Sequence, residues 1–371
     1  MRADAPLGDV RVLEFLGLGP APFAGMMLAD LGADVLAIAR PGAGRPALAE
    51  NRPVIEADLK TDEGAGLAAR LAARADVLVE GFRPGVMERA GLAPSVLRKQ
   101  NPRLIYARMT GWGQTGPFAP RAGHDINYIG LTGALHHAAR RGGVPTPPAN
   151  LLGDFGGGGM YLVASILAAL HQRGRTGRGQ VIDAAIVDGT TYLTAMLHEY
   201  RSRGRWSDTA GTNRLDTGAP FYDVYECADG KHVAIGALED PFFAALVPLL
   251  GLDPRWTERR ADPAEWPALR REIEQAVRGR TRDEWAAAAE GTDACLTPVL
   301  SLAEAAEHPQ MRARDVLVPA PDGRPGWRPA LPGWRSGRCR SPGEALARWD
   351  YAEQDEDGHR PQPQTMGARD Q

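Results

Sequence analysis

Three segments of this 371-residue chain set an ionisable side chain among glycines: His124 in AGHDINY, Asp154 in NLLGDFGGGG and Glu239 in AIGALED. Flanking glycines let a backbone approach a ligand closely, and loops on a rigid scaffold commonly carry function. The residue types suit proton transfer. Histidine titrates near neutrality and can hold either protonation state. Asp154 precedes a helix expected to start near 156, whose positive end would favour the ionised carboxylate that a base needs. Each residue also has a plainer reading. Aspartate is a preferred helix N-cap, a lone histidine serves as a hydrogen-bonded structural group, and Glu239 reads equally as a solvated turn residue. Spacing alone leaves these alternatives open.

Other chemistries find no motif. The chain has no GxSxG elbow, no HExxH and no GxxxxGK[ST] loop. Cys227, Cys295 and Cys339 are odd in number and widely spaced. They argue against a disulfide framework and a zinc site, so no metal is expected, and they favour a reducing cytoplasm. The turn LGLGPAPFAG resembles a dinucleotide fingerprint, but Pro22 stands where the third glycine belongs. The following strand ends in Arg40 rather than in the acid that binds the ribose of NAD. Arg40 suits a phosphate-bearing ligand better. A tight strand–helix turn that binds no nucleotide is the alternative. His136 and His137, beside Arg140 and Arg141, read as a solvated helix end.

These groups need a scaffold, and the apolar pattern supplies one. Strands are expected over 9–15, 34–39, 76–80, 103–109 and 180–187, with helices over 22–31, 64–73 and 156–171. This is βαβ alternation, hence a parallel sheet covered by helices. Beyond about 205 the alternation stops. Residues 222–238 read as a hairpin about an Ala-Asp-Gly turn. Helices follow near 241–250, 266–278 and 281–290, then a short strand near 295–300. Ser301 and Glu304 form a capping box for another helix.

Length points to two or three domains. A formal net charge of -3 excludes electrostatic partnership with nucleic acid or an anionic membrane surface. Only Lys60, Lys99 and Lys231 are lysine, so 40 of the 43 basic residues are arginine, as a GC-rich genome would write them. Arginines must therefore be judged by position. Apolar runs such as 160–170 fall short of the roughly 20 residues of a membrane span. MRADAPLGDV has no secretory-signal pattern. The stretch 351–371 reads as a disordered tail.

The blocks VLEFLGLGPAPFAGMMLADLGADV, ADLK, FRPGVMERAGL, PRLIYARMTGWGQTGP, AGHDINYIGLTGAL, NLLGDFGGGGM, TGRGQVIDAAIVDG, GAPFYDVYECADG and DACLTPVL closely resemble the family III CoA-transferase superfamily, specifically its alpha-methylacyl-CoA racemases. The likeness runs from about residue 7 to 310. It implies an α/β fold: a Rossmann-like large domain over 1–186, a linker over 187–221 and a small α+β domain over 222–310. Residues 311–350 would return to the large domain, and two chains would interlock as a homodimer with the active site shared between them. The activity implied is racemisation of 2-methylacyl-CoA thioesters by two-base 1,1-proton transfer through an enolate. No prosthetic group is implied, and CoA enters as part of the substrate. By motif, His124, paired with Glu239, is the base on one face and Asp154 the base on the other. The positions lining the CoA groove are Arg40, Ala57, Leu59, Lys60, Gly81, Phe82, Arg83, Arg89, Met109, Gly123, Asp125 and Tyr128.

The chain departs from the family pattern near the CoA nucleotide end. Its second strand reads LAIARP, with Ala37 and Ala39 where relatives usually carry an arginine and an acid. Pro53 replaces the second member of a basic pair. Under the racemase reading, Arg40, Arg45 and Arg52 still hold the phosphates. An alternative is a proton-transfer isomerase or rearrangement enzyme of the same fold acting on a non-CoA, secondary-metabolite substrate. A third is a family III CoA-transferase using Asp154 as nucleophile.

Overall fold

Apolar runs such as RVLEF and DVLAIA, separated by helical stretches, call for strands buried on both faces. The computed structural model of the chain describes residues 5–44, 47–320, 326–331 and 341–349, and it contains that sheet. Strands β1 (Arg11–Phe15), β2 (Asp34–Ala39), β3 (Val54–Glu56), β4 (Val77–Glu80), β5 (Ile105–Thr110) and β6 (Val181–Ala185) run in the order β3-β2-β1-β4-β5-β6. Every pairing is parallel, with Leu13 beside Leu36 on one side and Leu78 on the other. β1, β2, β4 and β5 are buried almost throughout, whereas the edge strands β3 and β6 are partly exposed. After β1 the chain lays down β2 and β3, then crosses back to β4 on the other side. The C-terminal ends of β1 and β4 therefore flank a switch point, where open α/β sheets bind ligands.

The described residues of 1–121, 158–185 and 330–371 form one compact unit, and 122–157 with 186–329 form another. In the first, Leu13, Phe15, Leu36, Leu78 and Tyr106 pack against Leu71, Met87, Leu97 and the fully buried Trp349. Trp349 follows the helix Pro342–Arg348, which starts with a Ser341–Glu344 capping box. Arg11 donates to the Arg348 carbonyl at 3.0 Å and so ties that helix to the start of β1.

The second unit holds strands β7 (Tyr222–Glu226), β8 (His232–Gly236) and β9 (Leu296–Pro298) in an antiparallel sheet, with Gly230 in the left-handed region at the hairpin turn. Its core gathers Phe221, Val233, Ile235, Phe243, Leu246, Leu269, Ile273 and Trp285. The Ser301–Glu304 capping box is formed. Residues 122–157, which the resemblance assigns to the large domain, lie in this unit. The segment 187–221 contains most of the helix Ile186–Leu193 and all of Ala195–Ser202. Arg45, Cys339 and the stretch 351–371 lie outside the described residues.

One element departs from expectation. The helix expected to begin near 156 begins at Leu151, and its first ten residues, Leu151–Met160, form a wide-turn π-helix that continues as the α-helix Tyr161–Thr176. The four glycines lie inside the helix instead of ahead of it. The combined helix has 26 residues, its most apolar 18-residue stretch has a mean hydropathy of 1.4, and by length and composition it is long and apolar enough to cross a membrane. The sequence reading missed that length because it broke the run at the glycines. In the first unit the α-helical part packs against β5, β6 and the helix Pro20–Asp30, the position of a core helix.

Candidate active site

The GHD segment ends a glycine-rich loop and opens a short helix, Asp125–Leu131, with His124 in extended conformation at its N-cap. Asn127 fixes that start, its side-chain oxygen accepting the His124 N–H at 3.0 Å. The His124 side chain is left exposed, while Asp125 turns inward and is 5% exposed. Asp125 Oδ1 accepts the backbone N–H of Asp154 at 2.6 Å, joining two segments 29 residues apart. The close approach depends on Gly153, where a Cβ would stand 2.5 Å from that same Oδ1. Tyr128 closes the turn by donating from its hydroxyl to the Gly123 carbonyl at 2.5 Å.

Asp154 lies on the π-helix, a rare geometry found disproportionately at functional sites. Ala149, two residues before this helix, has φ 51, a strained conformation for a residue with a side chain. Packing holds the wide turn. At Gly157 a Cβ would lie 2.3 Å from Thr190 Oγ1 and 2.6 Å from the Thr190 nitrogen, so only glycine admits the helix Ile186–Leu193 at that distance. The Asp154 carboxylate is half-buried and accepts from Asn150 Nδ2 at 3.2 Å. Burial raises its pKa above the usual aspartate value. Asn150 opposes the shift, the Asp125 charge adds to it, and His124 opposes it. The expectation that the helix end favours the ionised form is therefore corrected: desolvation dominates, and Asp154 sits within the first turn instead of capping it. Asn150, the turn residue just before the helix, was missed by sequence reasoning; its place four residues ahead of Asp154 was the available signal.

Glu239 is the exposed N-cap residue of the helix Asp240–Leu250, just past β8. A buried arginine fixes its neighbours. Arg260 lies over the rings of Phe221 and Phe243, donates to the carbonyls of Ala237 and Leu238 at 3.1 and 3.2 Å, and pairs with Asp240. Among the described residues no hydrogen bond or ion pair joins Glu239 to His124 or Asp154. His124, Asp125 and Asp154 are brought together within one chain; Glu239 is not joined to them.

The other proposed binding positions lie in the first unit, on or just after the C-terminal ends of parallel strands: Arg40 after β2, Ala57, Leu59 and Lys60 after β3, Gly81, Phe82 and Arg83 after β4, and Met109 within β5. Arg40, Lys60, Arg83 and Arg89 are exposed, while Ala57 and Met109 are buried. A buried charge network braces this edge. Glu80 accepts from Arg108 Nε and from the Phe82 backbone N–H, each at 2.8 Å, and Arg108 also donates to Glu88 at 2.8 Å. Burial raises the pKa of Glu80 against the pull of Phe82 N–H and Arg108.

Two further expectations are corrected. Arg52, read as a phosphate ligand, is 1% exposed and donates from Nη2 to Glu14 at 2.8 Å and to the Pro22 carbonyl at 2.9 Å. It is the counter-ion of a buried glutamate. His136 and His137 do not form a solvated helix end. His136 contacts the Asp208 carbonyl at 2.6 Å, and His137 accepts from Trp206 Nε1 at 3.1 Å, so the pair anchors the 206–216 loop. Burial lowers the pKa of His137, and His136 adds to the shift.

The pattern of CoA-transferase family III matches residues 7–338. The chain belongs to this family. Alpha-methylacyl-CoA racemase of Mus musculus is 45% identical over 325 residues, covering 87% of this chain and 85% of the relative. The protein of the same name from Homo sapiens is 42% identical over 326 residues, with 87% and 85% covered. Among solved structures, a CAIB/BAIF family protein from Brucella suis superposes with a TM-score of 0.75 at 29% identity, covering 93% of this chain and 100% of that one. Family III membership makes the exposed C-terminal sheet edge and the His124–Asp154 pair the two parts a function must explain.

Proposed function

We propose that the chain is a racemase that inverts the α-carbon of 2-methylacyl-CoA thioesters by transferring one proton off and one proton on through an enolate. The observation that carries this reading is the pairing of two unlike bases, His124 and Asp154, joined through Asp125, in a chain more than 40% identical to racemases over 87% of its length. A thioester stabilises the adjacent carbanion as an enolate, so weak bases suffice once the oxyanion is held. Inversion needs one base deprotonated while its partner is protonated. Asp154, with its pKa raised by burial, delivers its carboxyl proton to one face of the α-carbon after the imidazole of His124 has taken the original proton from the other. The reverse direction exchanges the roles.

In the same proposal two chains form a homodimer, and Glu239 of the partner subunit orients His124 and raises its proton affinity. This accounts for the exposed Glu239 that Arg260 holds in place without a contact to His124 in its own chain. The CoA phosphates meet Arg40, Lys60, Arg83 and Arg89 at the open sheet edge. Arg52, enclosed with Glu14, has no part in holding them. Ala37 and Ala39 are buried within β2, so the exposed cation remaining on that strand end is Arg40. A reducing, cytoplasmic location fits Cys227 and Cys295, both free thiols. The deciding experiment is incubation with a 2-methylacyl-CoA in D2O. Deuterium should enter the α position, and its absence with folded protein would sink the proposal. Acceptor-dependent movement of CoA in place of exchange would favour a transferase using Asp154 as nucleophile.

A further inference from the structure

The proposed function leaves one charged surface unused. Residues 94–104 and 171–182 together carry five arginines, one lysine and no acidic residue, in a chain whose formal net charge is -3. Arg173 is engaged by Asp76 at 2.8 Å. The others gather where the helix Pro94–Gln100 ends and β6 begins, around a cavity of about 730 Å3. Arg98, Lys99 and Arg178 line it with Ser95, and Pro94, Pro102 and Val181 give it an apolar wall. No carboxylate contributes to the lining.

Several features separate this groove from an ordinary solvated basic face. Arg98 donates from Nη2 to the Gly179 carbonyl at 2.8 Å, which fixes the guanidinium, yet its Nε is buried and unpartnered. Buried, that Nε does not itself reach a ligand; what Arg98 offers an anion is the positive charge it brings to the cavity lining. The Lys99 and Arg178 side chains make no hydrogen bond or ion pair among the described residues. Placing cations in the last turn of a helix offsets its negative end and explains Arg98 and Lys99 in part. It does not explain Arg178, which comes from the loop before β6. The volume falls in the range of small-molecule sites and is larger than an inorganic phosphate needs. The groove opens at the N-terminal ends of β5 and β6, the opposite edge of the sheet from Arg40, Lys60 and Arg83.

We infer that this groove binds a nucleoside polyphosphate, its phosphates held by Arg98, Lys99 and Arg178 and its base laid on the Pro94–Pro102–Val181 wall. Nothing in the inference depends on the racemase reading, because the residues and the sheet edge are different.

The test is calorimetric titration of the full chain with ATP, ADP and pyrophosphate at low and moderate salt, with Arg40→Ala titrated alongside to separate any site at the other edge. ATP should bind saturably at one site per chain, more tightly than pyrophosphate and more weakly as salt rises. Arg178→Glu, a surface change with no internal partner to lose, should weaken ATP binding at least tenfold, and Arg98→Ala should do the same. Arg40→Ala should leave ATP binding unchanged. No saturable ATP binding, or binding that Arg178→Glu and Arg98→Ala both leave intact, would overturn the site. Equal affinity for ATP and pyrophosphate would overturn the role given to the apolar wall.

Discussion

Removing the Asp125 carboxylate tests whether it sets the geometry of Asp154, the residue proposed to move a proton. Its Oδ1 holds the Asp154 N–H at 2.6 Å, and its charge helps keep the Asp154 pKa raised. A hydrogen bond to a charged group contributes about 1.5–3 kcal/mol, and about 1.4 kcal/mol is a factor of ten in rate. If the lost contact appears wholly as misplacement of Asp154, Asp125→Ala should lower kcat for α-proton exchange by roughly 10- to 150-fold. KM should change less than kcat, because Asp125, which the resemblance places at the CoA groove, is only 5% exposed and the cations proposed to hold CoA are other residues. Asp125→Asn keeps an acceptor at Oδ1 and loses only the charge, so its rate should fall about fivefold. It should also shift the limb of the pH–rate profile that reports Asp154 to lower pH, since a neighbouring negative charge is gone. The assay is deuterium wash-in at the α-carbon across pH, with thermal melts confirming that both variants are folded. An Asp125→Ala enzyme with the rate and profile of the parent would refute the positioning role. Equal losses in the two variants would show that charge, not placement, is what Asp125 supplies.

Arg52→Ala should destabilise the fold by about 3–5 kcal/mol, because it leaves Glu14 buried without its counter-ion; denaturant melts measure this. Arg40→Ala should instead leave the midpoint in place and raise KM for the thioester. Asp154→Asn should gain stability relative to the parent as pH rises. An acid whose folded pKa is raised stabilises the fold below its unfolded pKa and loses that contribution as pH climbs through the folded value. Comparing melting temperatures of the two proteins at pH 4 and pH 7 checks the sign. Mixing His124→Ala chains with Glu239→Ala chains, each inactive alone, should restore exchange if Glu239 acts across a dimer. A mixed pair would carry one intact site, and no recovery after verified subunit exchange would place Glu239 in its own chain's site.

What the residues revealed in advance, and what they hid, follows from how far each determinant reaches. Buried strands announce themselves as apolar runs, the hairpin by alternation about Ala228-Asp229-Gly230, and the Ser301–Glu304 cap by spacing alone. All are local. The π-helix is not. Glycines weaken a helix in isolation, so 156–159 looked like a break before one. In the folded chain Gly153 and Gly157 are what let Asp125 and Thr190 press against the helix, and tertiary packing reverses the local preference. Arg52 misled for a related reason. Nothing near position 52 in the sequence shows that Glu14, 38 residues earlier, waits beneath it.

The charge state of Asp154 is the sharpest case, because its two determinants oppose each other and only one is visible in sequence. A helix N-terminus contributes about 0.3–1 kcal/mol to a carboxylate in its first turn. Withdrawing an ionised carboxylate from water costs more unless it is fully paired. Among the described residues Asp154 has one side-chain partner, Asn150, and has Asp125, a like charge, close by. Burial therefore sets the sign. A carboxyl group that retains its proton to higher pH suits the proton-donating stroke proposed for Asp154.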